Sequence, residues 1–371
     1  MLHTAITKIS LRNLLPAFIF FAAALSLAAQ TNPNPAPPKH ELRDGQHDFD
    51  FDIGAWRTHS SRLMHPLTGS KEWLDMDGIT VVKKVWDGRA NIAEYKADGP
   101  AGHIELLSLR WYSPEAHQWN LDFATPNVGT LGIPGVGEFH DGRGEFYDQE
   151  EINGRSILVR FSIWKTGADT AQSEQAFSAD GGKTWEVNWI NKYSRASDDT
   201  DIDWSPSASS SSANDPGAHS FDFNAGRWHT QITRILDPFA ASPNTMEMNG
   251  TVTVRKIWGG MAQLEEIEAD GPKGHWEGLT LFLYNPKAHQ WNQNFISSSE
   301  GKLSAPTIGA FTNRRGELFS QDTFKDRSIL VRGVWADIEP NSHSYTESYS
   351  NDGGRTWKPA FIGKLTRLGS S

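Results

Sequence analysis

The sequence predicts an all-β protein made of two tandem antiparallel up-and-down β-barrels, with about eight to ten strands each. Three observations predict this fold class. The chain carries the same segment twice, its apolar residues alternate with a period of two, and turn signals separate the short apolar runs.

The duplication keeps one offset from end to end. HDFDFDIGAWRTH, beginning at His47, returns as HSFDFNAGRWHTQ, beginning at His219, which is an offset of 172 residues. AHQWN recurs at the same offset, at Ala116 and Ala288, and no insertion or deletion separates the copies. The turns have therefore kept their lengths, and the predicted barrels are residues 47–196 and 219–368.

Alternation within each copy predicts strands. Leu107, Leu109 and Trp111 alternate with Ser108 and Arg110, and a period of two sends alternate side chains to opposite faces of a strand. Copy 2 repeats the pattern with Leu279, Leu281 and Leu283. About ten such strands fit in each copy, and DG, NG and DGG turn signals lie between them. A sheet this wide with one apolar face must close or fold over, so a barrel is predicted and a sandwich is the structural alternative.

Three further segments lie outside the repeat. Residues 1–29 have the basic start, apolar run and small residues of a secretory signal peptide, which predicts a periplasmic or secreted protein. Residues 30–46 read as a Pro-rich linker, and residues 197–218 as a Ser-rich acidic tether. No later segment is apolar for long enough to span a bilayer as a helix, so no membrane span is expected after signal cleavage.

Charge and cysteine content exclude several partners. The formal net charge is −10, and an acidic chain repels phosphate backbones, so nucleic acid is not an expected partner. The chain has no cysteine, so no disulfide framework is available. Stability must come from buried apolar area, for which each copy of about 150 residues is large enough.

The start and end of each copy resemble a known superfamily. FDFxxGxW contributes Gly54 and Trp56 in copy 1 and Gly226 and Trp228 in copy 2, and each copy ends in a strand with basic residues. These basic residues are Lys192, Arg195, Lys364 and Arg367. The pattern resembles the calycin and lipocalin-like superfamily, and within it exported bacterial domains of unknown function. The resemblance implies that the indole packs beneath a basic side chain of the last strand, and that the lumen holds a small apolar molecule. RTHSSR after Trp56 departs from the glycine-rich continuation of haem-binding nitrobindins, and no cofactor is predicted.

A second motif, S-x-D-x-G-x-T-W, occurs once in each copy. It includes Asp180 and Trp185, and again Asp352 and Trp357, and it looks like the Asp-box of sialidases. A propeller would repeat the motif about every 40 to 50 residues, whereas here it recurs once after 172. We interpret it as a structural turn in which the Asp accepts N–H groups and the Trp covers the turn.

Polar side chains in line with apolar ones are the candidate ligand-binding residues, because that face is expected to line the lumen. Burying such a charge requires a counter-charge or water. If a strand slips at a bulge, or if these positions lie at the rim, their role is structural instead. The copy 1 candidates are Lys84, His103, Glu105, Trp119, Glu145, Gln149 and Arg160, and the copy 2 candidates are Lys256, His275, Glu277, Trp291, Glu317, Gln321 and Arg332. His103 and Glu105 could supply two metal ligands, but a site needs a third, so no metal is predicted.

Three functions are compatible with this sequence. The leading hypothesis is an exported binding protein that encloses a small, mostly apolar molecule, with the oligomeric state left open. An acid/base enzyme acting on a lipid-like substrate is the alternative, with Glu105, Glu145, Glu277 or Glu317 as the proton donor. The third is a structural module of the envelope. Whether there is catalysis stays open at this point, although the pattern favours binding alone.

Overall fold

The computed structural model describes residues 43–100, 102–200 and 215–369. The predicted signal peptide, residues 1–29, lies outside the described residues, as do residues 30–42 of the Pro-rich linker and 201–214 of the Ser-rich tether. In the described ranges the helices are 3-10 turns of three or four residues, and none could cross a membrane.

Copy 1 forms a closed barrel of ten antiparallel strands in which each strand pairs with its neighbours in sequence and the first pairs with the last. The fold class predicted from the sequence is confirmed. The strands are β1 (Gly54–Leu63), β2 (Trp73–Val85), β3 (Ala90–Gly99), β4 (Gly102–Ser113), β5 (Gln118–Ala124), β6 (Gly135–His140), β7 (Arg143–Ile152), β8 (Arg155–Lys165), β9 (Thr170–Ser178) and β10 (Glu186–Ser197).

Copy 2 repeats the closed ring of ten strands and adds one short strand, β16, beside β15. β14 pairs with β15, and β11 pairs with β21, which closes the ring. The strands are β11 (Gly226–Ile235), β12 (Thr245–Ile257), β13 (Ala262–Gly271), β14 (Gly274–Asn285), β15 (Gln290–Ser297), β16 (Lys302–Leu303), β17 (Thr307–Thr312), β18 (Arg315–Phe324), β19 (Arg327–Glu339), β20 (Ser342–Ser350) and β21 (Lys358–Arg367).

Two-residue hairpins show how the turn lengths survived the duplication. Asn153 and Gly154 join β7 to β8, and their φ angles are 52° and 76°. A two-residue hairpin with a type I′ turn requires positive φ at both of these positions. The equivalent turn of copy 2 uses Lys325 and Asp326 with φ of 49° and 61°. The second copy therefore keeps the backbone geometry without glycine, because the flanking strands hold the turn in place.

One end of each barrel is closed by a 3-10 turn held beneath the last strand. In barrel 1 the guanidinium of Arg195 lies 4.1 Å from the ring centre of Trp56 and donates to the carbonyl oxygens of Phe51 (2.7 Å) and Ile53 (2.8 Å). The Trp56 indole N–H donates to the Asp52 carbonyl at 2.8 Å. Barrel 2 has the same arrangement, with Arg367 3.9 Å from the ring of Trp228. At each closed end, side chains of the barrel therefore donate to the carbonyls in and beside the 3-10 turn.

The two barrels pack side by side through an apolar core that neither barrel could form alone. Leu107 and Leu109 of β4 are fully buried in one cluster with Leu279 and Leu281 of β14. Their alternate neighbours, such as Arg110, point into the barrel interior instead. The expectation that the apolar face of these strands lines the lumen is therefore wrong. The face is apolar because the other barrel covers it.

This contact has an internal two-fold relationship. Val85, Ala90 and Ile92 of copy 1 and Ile257, Ala262 and Leu264 of copy 2 belong to the same cluster, and each pair is 172 residues apart. Polar contacts add to the apolar core. The indole N–H of Trp111 donates to the Gly301 carbonyl at 3.0 Å, and the side-chain amide of Asn292 donates to the Gly129 carbonyl at 3.0 Å. Gly129 and Gly301 are themselves equivalent positions.

Candidate functional site

The interior of barrel 2 contains a cavity of about 320 Å³. It opens at the end opposite the 3-10 turn, where the β11 terminus and the segment around β16 form the rim. Its lining combines aromatic rings with charged and amide side chains. The aromatic lining residues are Trp276, Phe295, Phe324, Trp335, Tyr345, Tyr349 and Phe361.

Glu265 on β13 is the buried acid of this cavity. Its carboxylate accepts a hydrogen bond from the hydroxyl of Thr280 at 3.0 Å and one from the amide of Asn224 at 3.3 Å. Burial raises the pKa of Glu265 to about 7, although both hydrogen bonds act in the opposite direction. Near neutral pH this group therefore exists in both protonation states, beside open space.

A second acid, Glu347 on β20, lines the same cavity nearer its mouth. Burial raises its pKa, against the hydrogen bond from Tyr349 and the positive charge of Arg234 on β11. Burial and the adjacent Glu347 carboxylate raise the pKa of the Tyr349 phenol. Arg234 is the positive charge that balances this group of side chains.

An amide at mid-depth is held by two aromatic side chains. The carbonyl of Gln293 accepts from the indole N–H of Trp335 at 3.2 Å, and its NH₂ donates to the phenol oxygen of Tyr345 at 3.2 Å. The rings of Trp335 and Tyr345 lie 4.7 Å apart. These bonds fix the orientation of the amide, so Gln293 contributes an oriented polar group to the lining of the cavity.

His343 lies below the cavity, at the closed end, and is 3% exposed. Its ring is 4.4 Å from Trp228 and 5.1 Å from Phe223, and neither ring nitrogen has a hydrogen-bond partner among the residues that the structure describes. Burial, together with the charge of Arg367, lowers the pKa of His343 to about 4. The histidine is therefore neutral at physiological pH and forms part of the floor.

Barrel 1 fills the deep part of the equivalent interior with its own side chains. Arg110 donates to Asp52 at 2.5 Å in an almost fully buried ion pair, and its guanidinium lies 4.9 Å from the ring centre of Phe49. Above it, the Ser60 hydroxyl bonds with Tyr95 and with Asn191, each at 2.6 Å. A cavity of about 260 Å³ lies nearer the mouth, beneath the β1–β2 turn.

The comparisons with known proteins show only distant likeness. No protein-family model matches the chain, and no curated protein matches it. Similar solved structures include an S-type phycobiliprotein lyase from Guillardia theta, which is 13% identical with a TM-score of 0.30 and covers 40% of this chain and 90% of its own. A protein of unknown function from the DUF3598 family of Nostoc punctiforme is 10% identical with a TM-score of 0.18, and covers 88% of this chain and all of its own. Scores this low carry no argument about function, which must rest on the site.

Most of the predicted ligand-binding residues face away from the lumens. His103 and Glu105 lie on the outer face of β4, where the His103 ring bonds to Asp98 at 2.8 Å and to Glu105 at 3.1 Å. Glu277 on β14 accepts from Arg89 of barrel 1 at 2.6 Å, so it belongs to the contact between barrels. Equivalent His275 bonds to Asp270 at 3.0 Å. Their expected place in the lumen is wrong, because they share the outward face of Leu107 and Leu279.

A second group of predicted residues also lies outside, around the Asp-box turns. Arg160 stacks on Trp185 at 4.8 Å, and Arg332 on Trp357 at 4.6 Å. The lumen face of β18 presents Ser320, Asp322 and Phe324, which leaves the alternate residues outward. The outward residues are Glu145, Gln149, Glu317 and Gln321, so their predicted lumen position is wrong for the same reason of parity.

The Asp-box turns themselves are held by local hydrogen bonds. Asp180 accepts from the Thr184 N–H at 2.9 Å and from its hydroxyl at 2.7 Å, and these bonds lower the pKa of Asp180 to about 2. Asp352 makes the same bonds to Thr356, at 3.0 and 2.7 Å. Trp185 donates to the Gly182 carbonyl at 3.1 Å, which covers the turn.

Four predicted residues lie at the closed ends. Trp119 is fully buried and donates to the Gly45 carbonyl at 2.9 Å, and Trp291 donates to the Gly217 carbonyl at 2.9 Å. Lys84 pairs with Asp87 at 3.3 Å, and Lys256 pairs with Asp222 at 2.8 Å. All four therefore support the end of a barrel, and the cavity of barrel 2 begins above them.

The residues that do line the cavity were not predicted from the sequence. Glu265, Gln293, Tyr345 and Glu347 replace Ala93, Leu121, Ser173 and Gln175 of copy 1 at the offset of 172. The available signal was this divergence, since a comparison of copies within the repeat identifies positions where the framework is the same and the chemistry differs.

Proposed function

We propose that the chain is an exported binding protein whose second barrel encloses a small molecule with both apolar and polar groups. Barrel 1 is then the scaffold against which barrel 2 is held. Small-molecule sites usually occupy about 300–1,000 Å³, with a few oriented polar groups in an apolar wall. The cavity of barrel 2 has that size and that composition.

The single observation that carries the proposal is the contrast between the two interiors. The deep part of the interior is filled in barrel 1 by the buried pair of Asp52 and Arg110, which leaves a cavity of about 260 Å³ at the mouth, whereas the cavity of barrel 2 extends inward to Glu265. A barrel maintained only as a spacer has no need to bury an acid such as Glu265 beside empty space, because that costs stability.

A fluorescence titration with the neutral probe N-phenyl-1-naphthylamine tests the proposal. Gly363 is buried on the lumen face of β21, where an added Cβ meets only ordinary contacts, so Gly363→Trp should fill the cavity. Its neighbour Lys364 is exposed, and Lys364→Trp is the matched control on the outer face of the same strand. We expect probe binding to be lost in the first variant and kept in the second. Equal probe binding in both variants would refute a site in this lumen.

A second function is favoured by one observation. Glu265, with a pKa near 7, has the property of a general acid or base in an apolar cavity. The predicted proton donors Glu105, Glu145, Glu277 and Glu317 lie on outer faces, so an acid/base enzyme would use Glu265 instead. In that case Glu265→Gln abolishes turnover of a bound substrate, whereas a binding protein shows no turnover to lose.

Export is part of the proposal and rests on residues 1–29. The expected mature protein begins at or next to Gln30 and is recovered from the periplasm or the medium. Amino-terminal sequencing of the purified protein after expression of the full chain provides the test. A protein that keeps its first 29 residues would contradict this part of the proposal and leave the binding site unaffected.

A further inference from the structure

Barrel 1 shows how this framework neutralises a buried carboxylate. Asp52 follows Phe51 in the 3-10 turn, and Arg110 reaches it from the interior face of β4. Both side chains are about 5% exposed or less. A buried carboxylate is stable in such a place when a cation and further hydrogen bonds accompany it. Here the cation belongs to the protein.

Barrel 2 keeps a buried carboxylate and omits that cation. Phe282 stands where Arg110 does, and Asn224 stands where Asp52 does. The buried acid lies instead on β13, where Glu265 replaces Ala93. Among the described residues, none forms an ion pair with Glu265. Both carboxylate oxygens accept a hydrogen bond, one from Thr280 and one from Asn224, and this arrangement suits the ionised form.

The other side chains that line the cavity also favour a positively charged occupant. Four acids line the cavity, Glu265, Glu300, Asp322 and Glu347, against two basic residues, Arg234 and Lys302. Arg234 is already engaged electrostatically with Glu347, and Lys302 is exposed at the rim. Aromatic faces around a cavity also attract cations through their negative π-surfaces. Trp276 and Phe295 stack at 6.2 Å on this wall.

We propose that the occupant of barrel 2 is an organic cation, an amine carried on an apolar body, whose charged nitrogen pairs with Glu265 in the way that Arg110 pairs with Asp52. This inference rests on the proposed function and adds the chemical class of the ligand. The apolar body lies against the aromatic wall toward the mouth, and Gln293 and Tyr345 supply polar contacts at mid-depth.

Because the ion pair needs an ionised carboxylate, binding must depend on pH. With the pKa of Glu265 near 7, raising the pH from 6 to 8 should strengthen amine binding about tenfold. The other titratable or charged groups that face the interior lie on several elements. They are Tyr345, Glu347 and Tyr349 on β20, Arg234 on β11, Asp322 on β18, and Glu300 and Lys302 at the rim, with His343 on β20 and Lys256 on β12 at the closed end. Of these, His343 is neutral throughout this pH range, and Lys256 is paired with Asp222.

The test uses three competitors that share one phenylpropyl body. Each compound competes with N-phenyl-1-naphthylamine for binding to the full-length protein. The first, 3-phenylpropylamine, is a cation, 3-phenylpropan-1-ol is neutral, and 3-phenylpropanoate is an anion. We expect the amine to bind at least tenfold more tightly than the alcohol at pH 8, and the anion to bind most weakly. Glu265→Gln should reduce the amine to the level of the alcohol, abolish the pH dependence and leave the alcohol unchanged.

Two further variants keep the result interpretable. Glu317→Gln changes an acid on the outer face and should leave all three affinities unchanged. Glu265→Ala installs the residue found in barrel 1 and provides a second removal of the charge if the glutamine variant is poorly folded. If the alcohol displaces the probe as well as the amine does, the cation proposal fails while the binding site stands. If the probe never enters the lumen, the proposed function itself fails.

Discussion

Leu281 gives the most direct test of how the two barrels pack. It is fully buried in the apolar cluster shared by β4 and β14, so Leu281→Ala removes three side-chain carbons from a contact that is filled from both sides. Such truncations cost about 2–5 kcal/mol, and the loss is greater where the surroundings cannot collapse into the space. Two closed barrels are stiff walls, so we expect a loss of about 3 kcal/mol in the free energy of unfolding.

Urea unfolding followed by tryptophan fluorescence measures this loss, and Leu330→Ala is the matched control. Leu330 lies on the outer face of β19 and is 37% exposed, so the same chemical change there should cost less than about 1 kcal/mol. The probe titration is repeated on both variants. Leu281 faces away from the cavity, and neither substitution should change the affinity of the probe.

Two results would refute the reasoning. If Leu281→Ala costs no more than Leu330→Ala, the β4 and β14 faces do not pack against each other in solution. If Leu281→Ala instead changes probe affinity or stoichiometry, this face lines the lumen, as the apolar alternation in the sequence suggested. Both outcomes can be read from the same two purified variants.

Three further predictions concern other parts of the molecule. Gly301→Ala should destabilise the chain by more than Gly154→Ala. Both glycines have positive φ, but only a Cβ at Gly301 approaches the other barrel, where it lies 2.6 Å from a backbone atom. Equal losses of stability in urea unfolding would contradict that contact. Burial lowers the pKa of His343 to about 4, so between pH 6.5 and 4 the unfolded chain binds a proton that the folded chain does not. The free energy of unfolding therefore decreases as the pH is lowered through this range. His343→Leu should remove up to about 3 kcal/mol of this acid destabilisation, measured by urea unfolding at pH 7 and pH 4.5. If the variant and the wild type lose the same stability between these two pH values, the prediction is contradicted. Arg110→Phe alone should cost about 3–5 kcal/mol because it leaves Asp52 buried without its cation, whereas adding Asp52→Asn should recover part of that loss, measured again by urea unfolding.

The fold could be predicted because its signals are local and repeated. Alternation with a period of two marks strands whichever side is buried, and the turns between them carry residues that suit positive φ, such as Asn153 and Gly154. The single offset of 172 then required two copies of one architecture. None of these signals depends on which face of a strand points into the barrel, so the fold is predicted correctly even when the faces are assigned wrongly.

The site could not be predicted because alternation identifies two faces and does not say which of them encloses the lumen. On β4 the outer face is the more apolar, since another barrel covers it, and the inner face carries Ser108 and Arg110. Arg110 is tolerated inside only because Asp52, 58 residues earlier in the chain, lies beside it. That pairing is tertiary, and no spacing within the strand reveals it.

The barrel contact explains why the two copies stayed in register while their interiors diverged. Each copy contributes the same positions to the shared core, from Val85 and Ile257 to Leu109 and Leu281, as subunits do in an isologous dimer. A one-residue shift in either copy would turn this face inward and expose the contact, so insertions in these strands are excluded from both copies. Interior residues are free of that constraint, because each lumen is closed off from the other barrel. Replacement of Tyr95 by Ile267 and of Asn191 by Gly363 therefore leaves more open space in the lumen of barrel 2 without disturbing the surface that holds the pair together.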